Sequence, residues 1–201
     1  MDKEKSLISC IILSAGLSSR FGSPKALALF KSHQTVIQYL LGQLLKTQLN
    51  ELIVVLGAHA HDIKPFLLNH KKIKVVYNKD YNLGQTSSVK SGLKQISPNT
   101  KAFLVLPVDY PWVNPKTIDG LIRHFLNHKS LILIPSYQNK KGHPPLFAID
   151  LKDKFLNLEN TLGINEIAKR YSKETMLYSV EDAGVIKTFN TKEELEQLKR
   201  E

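Results

Sequence analysis

The fold of this chain is decided at residues 10–30, CIILSAGLSSRFGSPKALALF, where an apolar run passes into small residues, two glycines, an arginine and a lysine. The apolar run predicts a buried strand, and the residues after it predict a flexible, positively charged loop. Gly16 and Gly22 allow backbone conformations in which successive N–H groups point at one anion. Arg20 can bind two phosphate oxygens with its planar guanidinium, and Lys25 adds a compact charge. The stretch therefore predicts a strand followed by a phosphate-binding loop.

The spacing in this loop excludes two common phosphate-binding motifs. Five residues separate Gly16 from Gly22, and Lys25 does not directly follow the second glycine, so the P-loop pattern fails. The Rossmann fingerprint fails because Ser18 stands where its second glycine should be. A plain glycine-containing turn with surface charges is the alternative interpretation. The arginine and the lysine around the glycines favour anion binding over that alternative.

Strand-like and helix-like segments alternate along the first two thirds of the chain. Short apolar runs predict strands buried on both faces at 7–14, 51–57, 73–78, 102–109 and 131–136. Segments of helical period lie between them at 35–48, 61–70, 86–96 and 114–128, the last with Asn114 as its cap and Pro115 in its first turn. This order predicts an α/β chain with a mostly parallel sheet covered on both faces. In such a sheet ligands bind at the carboxyl ends of the strands, where the 14–25 loop lies.

The last third of the chain is less regular. Residues 137–150 predict a polar loop leading into one more strand, residues 160–171 a short helix, and residues 175–182 and 184–190 two strand candidates. A charged helix opened by Asn190 or Thr191 closes the chain. Because no repeat, low-complexity tract or linker interrupts the sequence, we predict a single domain over 1–201. Its nucleotide-binding part covers about 1–110 and its acceptor-binding part about 111–190.

Composition limits the classes of function. The chain has 201 residues, a net charge of +10 and one cysteine, which excludes an internal disulfide and predicts an inert core thiol at Cys10. It lacks a run of about 20 apolar residues and a secretory leader, so we expect a cytoplasmic protein without a membrane partner. The charge is compatible with nucleic-acid binding or with a basic surface that attracts a small phosphorylated substrate. Because the lysines are scattered and no zinc-finger or RNP-like motif is present, we expect no nucleic-acid partner.

The chain resembles a known family in six segments. The stretch LSAGLSSRFGSPKAL resembles the signature loop of the MobA-like nucleotidyltransferases. Five further segments are similar to the family's elements and follow in its order: VVLGAHA, NKDYNLGQTSSVKSGL, LPVDYPWV, KKGHPPLF and VEDAGVIKTFNTKEEL. The match spans Leu7 to Leu198. It implies the three-layer α/β/α Rossmann-like fold of the nucleotide-diphospho-sugar transferases. It also implies transfer of a nucleotidyl group from an NTP to a phosphorylated acceptor, with release of pyrophosphate.

The resemblance assigns roles to individual residues. It implies catalytic roles for Arg20, Lys25 and Asp109, and Mg²⁺ binding by Asp109 and Asn190. It implies nucleotide binding by Leu13, Ala15, Gly16, Ser18, Arg20, Gly22, Lys25, Gly57, Gly84, Thr86 and Ser88, and acceptor binding by Gly142, His143 and Pro144. An acceptor phosphate is already anionic, so catalysis reduces to alignment and to neutralisation of charge on the triphosphate.

Several of these residues have ordinary structural alternatives. Asp109 ends an apolar strand, where a carboxylate can bind Mg²⁺, but an Asp in this position is also a common turn former. Asn190 is also a candidate cap for the last helix, and Thr86 a candidate cap for the helix after Gly84. Thr188 stands where the family often has Asp, which removes one candidate carboxylate near the metal.

The histidines are expected to differ in role. The sequence predicts that His143 lies in a stiff, exposed loop and contacts the acceptor. His59, His61, His124 and His128 have no matching metal partners in the sequence and are expected at the surface.

The branch of the family is suggested by Ala15-Gly16 and by the segments GQTSSV and GHPPLF, which also resemble the cytidylyl branch that acts on molybdopterin. Ala15-Gly16 resembles the cytidylyltransferases, whereas guanylyltransferases usually carry a glycine pair there, so we expect CTP as donor and a molybdopterin-type acceptor. A molybdoenzyme or a cofactor chaperone would then be the receiving partner. Three alternatives stay open: a guanylyl- or sugar-phosphate nucleotidyltransferase, a catalytically silent NTP-binding protein, and a basic nucleic-acid-binding module.

Overall fold

The strand predicted at the start of the chain lies at the centre of the sheet. The computed structural model describes residues 7–128 and 130–200. Within them eight strands form one sheet: β1 (Leu7–Ser14), β2 (Glu51–Leu56), β3 (Ile73–Tyr77), β4 (Thr100–Pro107), β5 (Ile132–Tyr137), β6 (Lys140–Lys141), β7 (Leu146–Ala148) and β8 (Thr175–Ser179). Their order across the sheet is β3-β2-β1-β4-β7-β5, with β8 on the far edge of β5 and β6 paired to the end of β5.

Most of these strands are parallel, as predicted. Strands β3, β2, β1 and β4 pair in parallel, and so do β5 and β8. Strand β7 runs antiparallel between β4 and β5, and β6 pairs antiparallel with β5. The short β6–β7 segment therefore places the predicted acceptor residues, 142–144, near the carboxyl end of β4.

Helices cover both faces of the sheet, which confirms the three-layer α/β/α prediction. They are α1 (Val36–Leu44), α2 (Ala60–Ile63), α3 (Gln85–Leu93), α4 (Pro115–Asn127), α5 (Lys152–Leu156), α6 (Asn165–Arg170) and α7 (Lys192–Arg200). Helices α1, α2, α4 and α7 pack on one face, and α3, α5 and α6 on the other. Successive residues of β1 alternate between these two cores, with Cys10 and Ile12 in the first and Ile11 and Leu13 in the second.

Capping residues fix where the longer helices begin. Thr35 and Gln38 form a reciprocal capping box before α1. The Asn114 side chain accepts a hydrogen bond from the backbone N–H of Lys116 at 2.9 Å, so the predicted cap of α4 is confirmed. Among the described residues, no helix has the length and apolar character that crossing a bilayer requires.

Three sequence predictions of local structure are wrong. Strand β3 is not buried on both faces, because it is an edge strand and exposes Val75 and Tyr77. The helix predicted over 61–70 is limited to α2 and a 3₁₀ turn that begins near Pro65, whose ring and missing N–H disfavour a longer helix. Residues 184–190 contain a 3₁₀ turn instead of a strand, and their apolar pattern comes from burial of Val185 and Phe189.

Candidate active site

The loop after β1 is a tight turn built around Ser18. The Ser18 carbonyl accepts hydrogen bonds from the N–H groups of Phe21 and Gly22 at 2.9 and 3.1 Å. Gly22 has φ +76°, a backbone conformation that disfavours any side chain with a Cβ. The Phe21 ring packs edge-on against the buried Phe189 ring at 5.5 Å between centroids. These contacts hold the loop against the segment that precedes α7.

Four predicted residues from three distant segments meet beside this loop. Lys25 Nζ donates to Asp109 Oδ2 at 2.8 Å and to Asn190 Oδ1 at 3.1 Å. Arg20 Nη2 donates to the same Asn190 oxygen at 2.9 Å. The Lys25 ammonium also lies 5.4 Å from the centre of the Phe189 ring, within the range of a cation–π interaction. The structure thus brings the predicted catalytic and metal-binding residues together.

These residues stand at one side of a cleft of about 440 Å³, which we call the main cleft. The predicted residues that line it are Leu13, Ala15, Gly16, Ser18, Arg20, Lys25, Gly84, Ser88 and Asp109. The end of β1, the end of β4 and the start of α3 form its walls, so the cleft lies at the carboxyl edge of the sheet. This position is the one expected for a ligand site in an open α/β sheet.

Three of the predicted nucleotide-binding residues do not line the main cleft. Gly22 shapes the turn behind it. Gly57 supports Ala15 from behind, because a Cβ at residue 57 would lie only 2.6 Å from the Ala15 carbonyl oxygen. Thr86 is buried and donates its hydroxyl to the Leu162 carbonyl at 2.5 Å. The alternative in which Thr86 caps α3 is wrong, because the N-cap residue is Gly84.

Ser14 is a cleft residue that sequence reasoning missed. It is the last residue of β1 and is 5 % exposed, yet its hydroxyl oxygen has no hydrogen-bond partner among the described residues. A buried polar atom without a partner costs free energy, so a ligand that bonds to it gains affinity. The sequence shows a polar residue at the end of a mostly apolar strand, but Ser9 lies in the same strand, so this pattern alone does not single out Ser14.

Tyr110 is a second missed residue. Its ring stacks on His143 with centroids 4.3 Å apart, and its hydroxyl hydrogen-bonds the Thr188 side chain. Burial, and then the negative charge of Asp109, raise the pKa of Tyr110. Thr188, where the family often has Asp, thus orients an aromatic ring beside Asp109.

The predicted acceptor loop borders a second cavity of about 540 Å³, which we call the side cavity. Gly142 and His143 line it, whereas Pro144 is buried and does not. The prediction that the loop around His143 is exposed is wrong, because the His143 backbone N–H donates to the Val185 carbonyl at 2.8 Å and the residue is half-buried. Burial lowers the pKa of His143, and the charge of Asp109 opposes this effect. At neutral pH the imidazole is therefore held in its uncharged form.

The oxygen atoms at the main cleft have the chemistry that Mg²⁺ prefers. Asp109 offers a carboxylate and Asn190 an amide oxygen, and both are hard ligands. Among residues 7–128 and 130–200, no three His, Cys, Asp or Glu side chains come together as a metal site. Such a sparse donor set fits Mg²⁺, which commonly uses one or two carboxylates and completes its shell with water and substrate phosphates. Asn190 also does not cap α7, because Thr191 takes that role by accepting from the N–H of Glu194.

Residues 10–175 match the family described as the MobA-like NTP transferase domain. The chain belongs to this family. It is therefore a nucleotidyltransferase of the MobA-like type, and this confirms the resemblance drawn from the motifs.

Two curated relatives align over nearly the whole chain at low identity. The molybdenum cofactor cytidylyltransferase of Escherichia coli is 24% identical over 196 residues, covering 92% of this chain and 92% of that protein. A "Probable molybdenum cofactor guanylyltransferase" of Methanocaldococcus jannaschii is 27% identical over 206 residues, covering 94% of this chain and 97% of that protein. Cytidylyl and guanylyl branches thus match to a similar degree.

Solved structures show the same fold. Rv0371c from Mycobacterium tuberculosis superposes with a TM-score of 0.84 at 22% identity, covering 98% of both chains. A 4-diphosphocytidyl-2C-methyl-D-erythritol synthase from Anaerococcus prevotii superposes with a TM-score of 0.77 at 17% identity, covering 98% of this chain and 96% of that chain. At these identities the likeness concerns the fold alone.

Proposed function

We propose that this protein transfers CMP from CTP to a phosphorylated acceptor of the molybdopterin type and releases pyrophosphate. The observation that carries the proposal is the meeting of Arg20, Lys25, Asp109 and Asn190 beside the main cleft. Two cations and two hard oxygen ligands at a carboxyl sheet edge match the needs of a triphosphate and its metal ion.

The main cleft supplies the nucleotide site in this proposal. Its loop contributes backbone N–H groups, and Arg20 and Lys25 face the negative charge of the triphosphate. Gly16 supports the same role, because a Cβ there would meet no described atom within 4 Å and its φ is not positive. Glycine at residue 16 is thus not required by packing, and the space above it is open to a ligand.

Lys25 changes partners when the substrate binds. In this structure its ammonium neutralises Asp109 and holds Asn190. Triphosphate oxygens offer Lys25 a more strongly charged partner, which releases Asp109 and Asn190 to hold Mg²⁺. When bound, the ion would neutralise charge on the phosphates. Metal affinity in the free protein is therefore low and rises when CTP is present.

The bond changes need no general base. An anionic oxygen of the acceptor phosphate attacks the α-phosphorus of CTP, a new P–O bond forms, and the bond from the α-phosphorus to the bridging oxygen breaks. The bonding electron pair leaves with pyrophosphate. Arg20 and Lys25 stabilise the charge that builds up on the α-phosphate and the leaving group. The loop holds the triphosphate so that the attack is in line.

The side cavity is the proposed acceptor site. Lys141 and Lys169 line it and can bind an acceptor phosphate, while Phe147 and Ile164 provide an apolar wall for a flat ring system. His143 lines the same cavity and stacks on Tyr110, which follows Asp109 in sequence. The Tyr110–His143 pair therefore links the acceptor site to the reacting phosphates.

CTP is favoured by Ala15 and by the cytidylyltransferase relative. Ala15 is buried at the cleft wall and contacts the Gly57 turn, so its methyl group reduces the space for a base. One methyl group discriminates by about 10- to 200-fold. GTP is the second candidate donor, because several relatives are named as molybdenum cofactor guanylyltransferases.

The test is a panel of CTP, GTP, ATP and UTP with and without Mg²⁺, read first by thermal shift and then by pyrophosphate release with molybdopterin added. We expect CTP to raise the melting temperature most, and pyrophosphate release to require both Mg²⁺ and the acceptor. Stabilisation by GTP above CTP would overturn the choice of base. Stabilisation by an NTP without turnover on molybdopterin or on sugar phosphates would favour a silent NTP-binding protein.

A further inference from the structure

Two histidines and a methionine meet on the outer edge of the sheet. His124 and His128 lie in and just after the last turn of α4, and Met176 lies on the edge strand β8. His124 Nε2 is 3.0 Å from Met176 Sδ. The His124 ring stacks on the His128 ring with centroids 4.0 Å apart, and the Tyr178 ring lies tilted against it with centroids 4.8 Å apart.

Hydrogen bonding fixes the proton on one of these rings. His128 Nδ1 is 2.9 Å from the backbone carbonyl oxygen of His124. A carbonyl oxygen only accepts, so Nδ1 carries the proton and a neutral His128 has its lone pair on Nε2. A ring nitrogen bonded to a backbone carbonyl is the arrangement that prepares the other nitrogen of a histidine to bind a metal.

The spacing of His124 and Met176 is close to that of two ligands on one ion. Ligand atoms at about 2.0 Å (N) and about 2.3 Å (S) from a tetrahedral ion stand about 3.5 Å apart. The observed 3.0 Å needs an outward shift of about 0.5 Å. Met176 and His128 are exposed and their partners leave both side chains room to adjust, and the His128 ring already lies against the His124 ring.

We propose that His124, Met176 and His128 form a binding site for monovalent copper. A thioether is a soft ligand and selects Cu(I), whereas Mg²⁺ and Mn²⁺ prefer carboxylate and water oxygens.

This site is separate from the nucleotide site. His124, His128 and Met176 line neither the main cleft nor the side cavity. The sequence alone gives no partner to the two histidines, because Met176 is 52 residues from His124 and only the pairing of β8 with β5 brings it to α4. The copper proposal can therefore be tested independently of the transferase proposal.

The test is titration of the full chain with Cu(I) under anaerobic conditions, in competition with a chromophoric Cu(I) chelator. We expect one equivalent to bind. Met176→Leu and His128→Gln should each weaken binding at least about tenfold. His61→Gln, which changes an exposed histidine outside the cluster, is the matched control and should leave the affinity unchanged. Thermal unfolding without metal should be the same for all variants, because the altered side chains are exposed.

Unchanged affinity in Met176→Leu would overturn the proposal, since that variant keeps both histidines and the buried Cys10. Failure of the unaltered chain to take up Cu(I) would overturn it too. Equal competition by Zn²⁺ would show that the thioether does not select the ion and would also contradict it.

Discussion

Two carboxylate–lysine pairs lie at opposite edges of the same sheet and differ in how completely they are bonded. At the amino edge, Glu51 accepts from Ser9 Oγ at 2.8 Å, from Ser97 Oγ at 2.6 Å, from the Ser97 N–H at 3.2 Å and from Lys74. At the carboxyl edge, Asp109 is held by Lys25, and both side chains border the main cleft. The Glu51 side chain is 8% exposed, and the Asp109 side chain is 21% exposed.

This difference in bonding separates a carboxylate that stabilises the fold from one that can bind a ligand. The Glu51 carboxylate has its bonding capacity filled by the protein, so it stabilises the fold and has little to offer a ligand. The Asp109 carboxylate, bonded to Lys25, and the unpartnered Ser14 hydroxyl keep bonding capacity at an open cleft. Polar groups that the fold leaves incompletely bonded mark the edge at which chemistry is expected.

The largest expected effect is on Asp109. Asp109→Asn removes the charge that the metal requires, and we expect pyrophosphate release to fall about 100- to 1,000-fold. The pair is partly exposed, so the free energy of unfolding should change by less than about 1 kcal/mol. Steady-state kinetics and denaturant unfolding of the same preparation measure the two quantities. Retained turnover would remove Asp109 from the mechanism.

Glu51→Gln should lower stability and leave turnover unchanged, the reverse of the effects expected for Asp109→Asn. The amide cannot accept all the bonds that the carboxylate accepts, so unfolding should become easier by roughly 1–3 kcal/mol while turnover at 25 °C is retained. Hydrogen bonds from Lys74, Ser97 and Ser9 outweigh burial and lower the pKa of Glu51 below its ordinary value of 4.5. Its stabilisation is therefore present above that value and is lost as pH falls through the lower folded pKa. Between pH 6 and pH 3 the free energy of unfolding should therefore fall less steeply in Glu51→Gln than in the unaltered protein. Equal slopes would contradict the stabilising role assigned to Glu51.

Gly57 and Gly16 should differ in the same way, one affecting stability and the other ligand binding. Gly57→Ala should destabilise the fold, by roughly 1–3 kcal/mol, because the new Cβ would overlap the Ala15 carbonyl. Gly16→Ala should leave stability unchanged but weaken CTP binding, because its Cβ would point into space left for the ligand. Thermal unfolding and calorimetric CTP titration distinguish the two. A Gly16 variant with normal CTP affinity would show that the triphosphate does not approach that backbone.

The smallest expected effect is on Ser14. Ser14→Ala removes a buried hydroxyl without a partner, so stability should be equal or slightly higher. CTP affinity should fall about three- to tenfold, the value of one hydrogen bond. Calorimetric titration measures the change, with Ser23→Ala in the same loop as the control. Unchanged CTP affinity would mean that the ligand does not bond to Ser14.

Much of the fold could be predicted from the sequence because its signals are local. The sequence itself shows the apolar runs of β1, β2, β4 and β5, the Asn114 cap and the position of Asp109 at a strand end. The exposure of β3 could not be predicted, because an edge strand and a central strand share the same apolar pattern. The apolar residues of 184–190 were likewise ambiguous, since a 3₁₀ turn and the loop after it can also bury apolar side chains, here Val185 and Phe189.

Site residues could be predicted where a residue in a sequence motif indicates its own role. They were missed where the role depends on contacts between residues that are distant in the sequence. Arg20, Lys25, Asp109 and Asn190 were identified from motif spacing, and the structure shows that they meet. The contact of Tyr110 with Thr188 joins residues 78 positions apart, and only the fold creates it. The missing partner of Ser14 is a property of its surroundings and has no signature in the sequence.

The most direct test of the central claim is an anomalous difference map from crystals grown with CTP and Mn²⁺ in place of Mg²⁺. The account predicts a manganese peak beside Asp109 and Asn190, with the triphosphate along residues 14–25 and Lys25 turned from Asp109 to the phosphates. A triphosphate bound elsewhere, or a metal peak at the Glu51 edge with none beside Asp109, would contradict it.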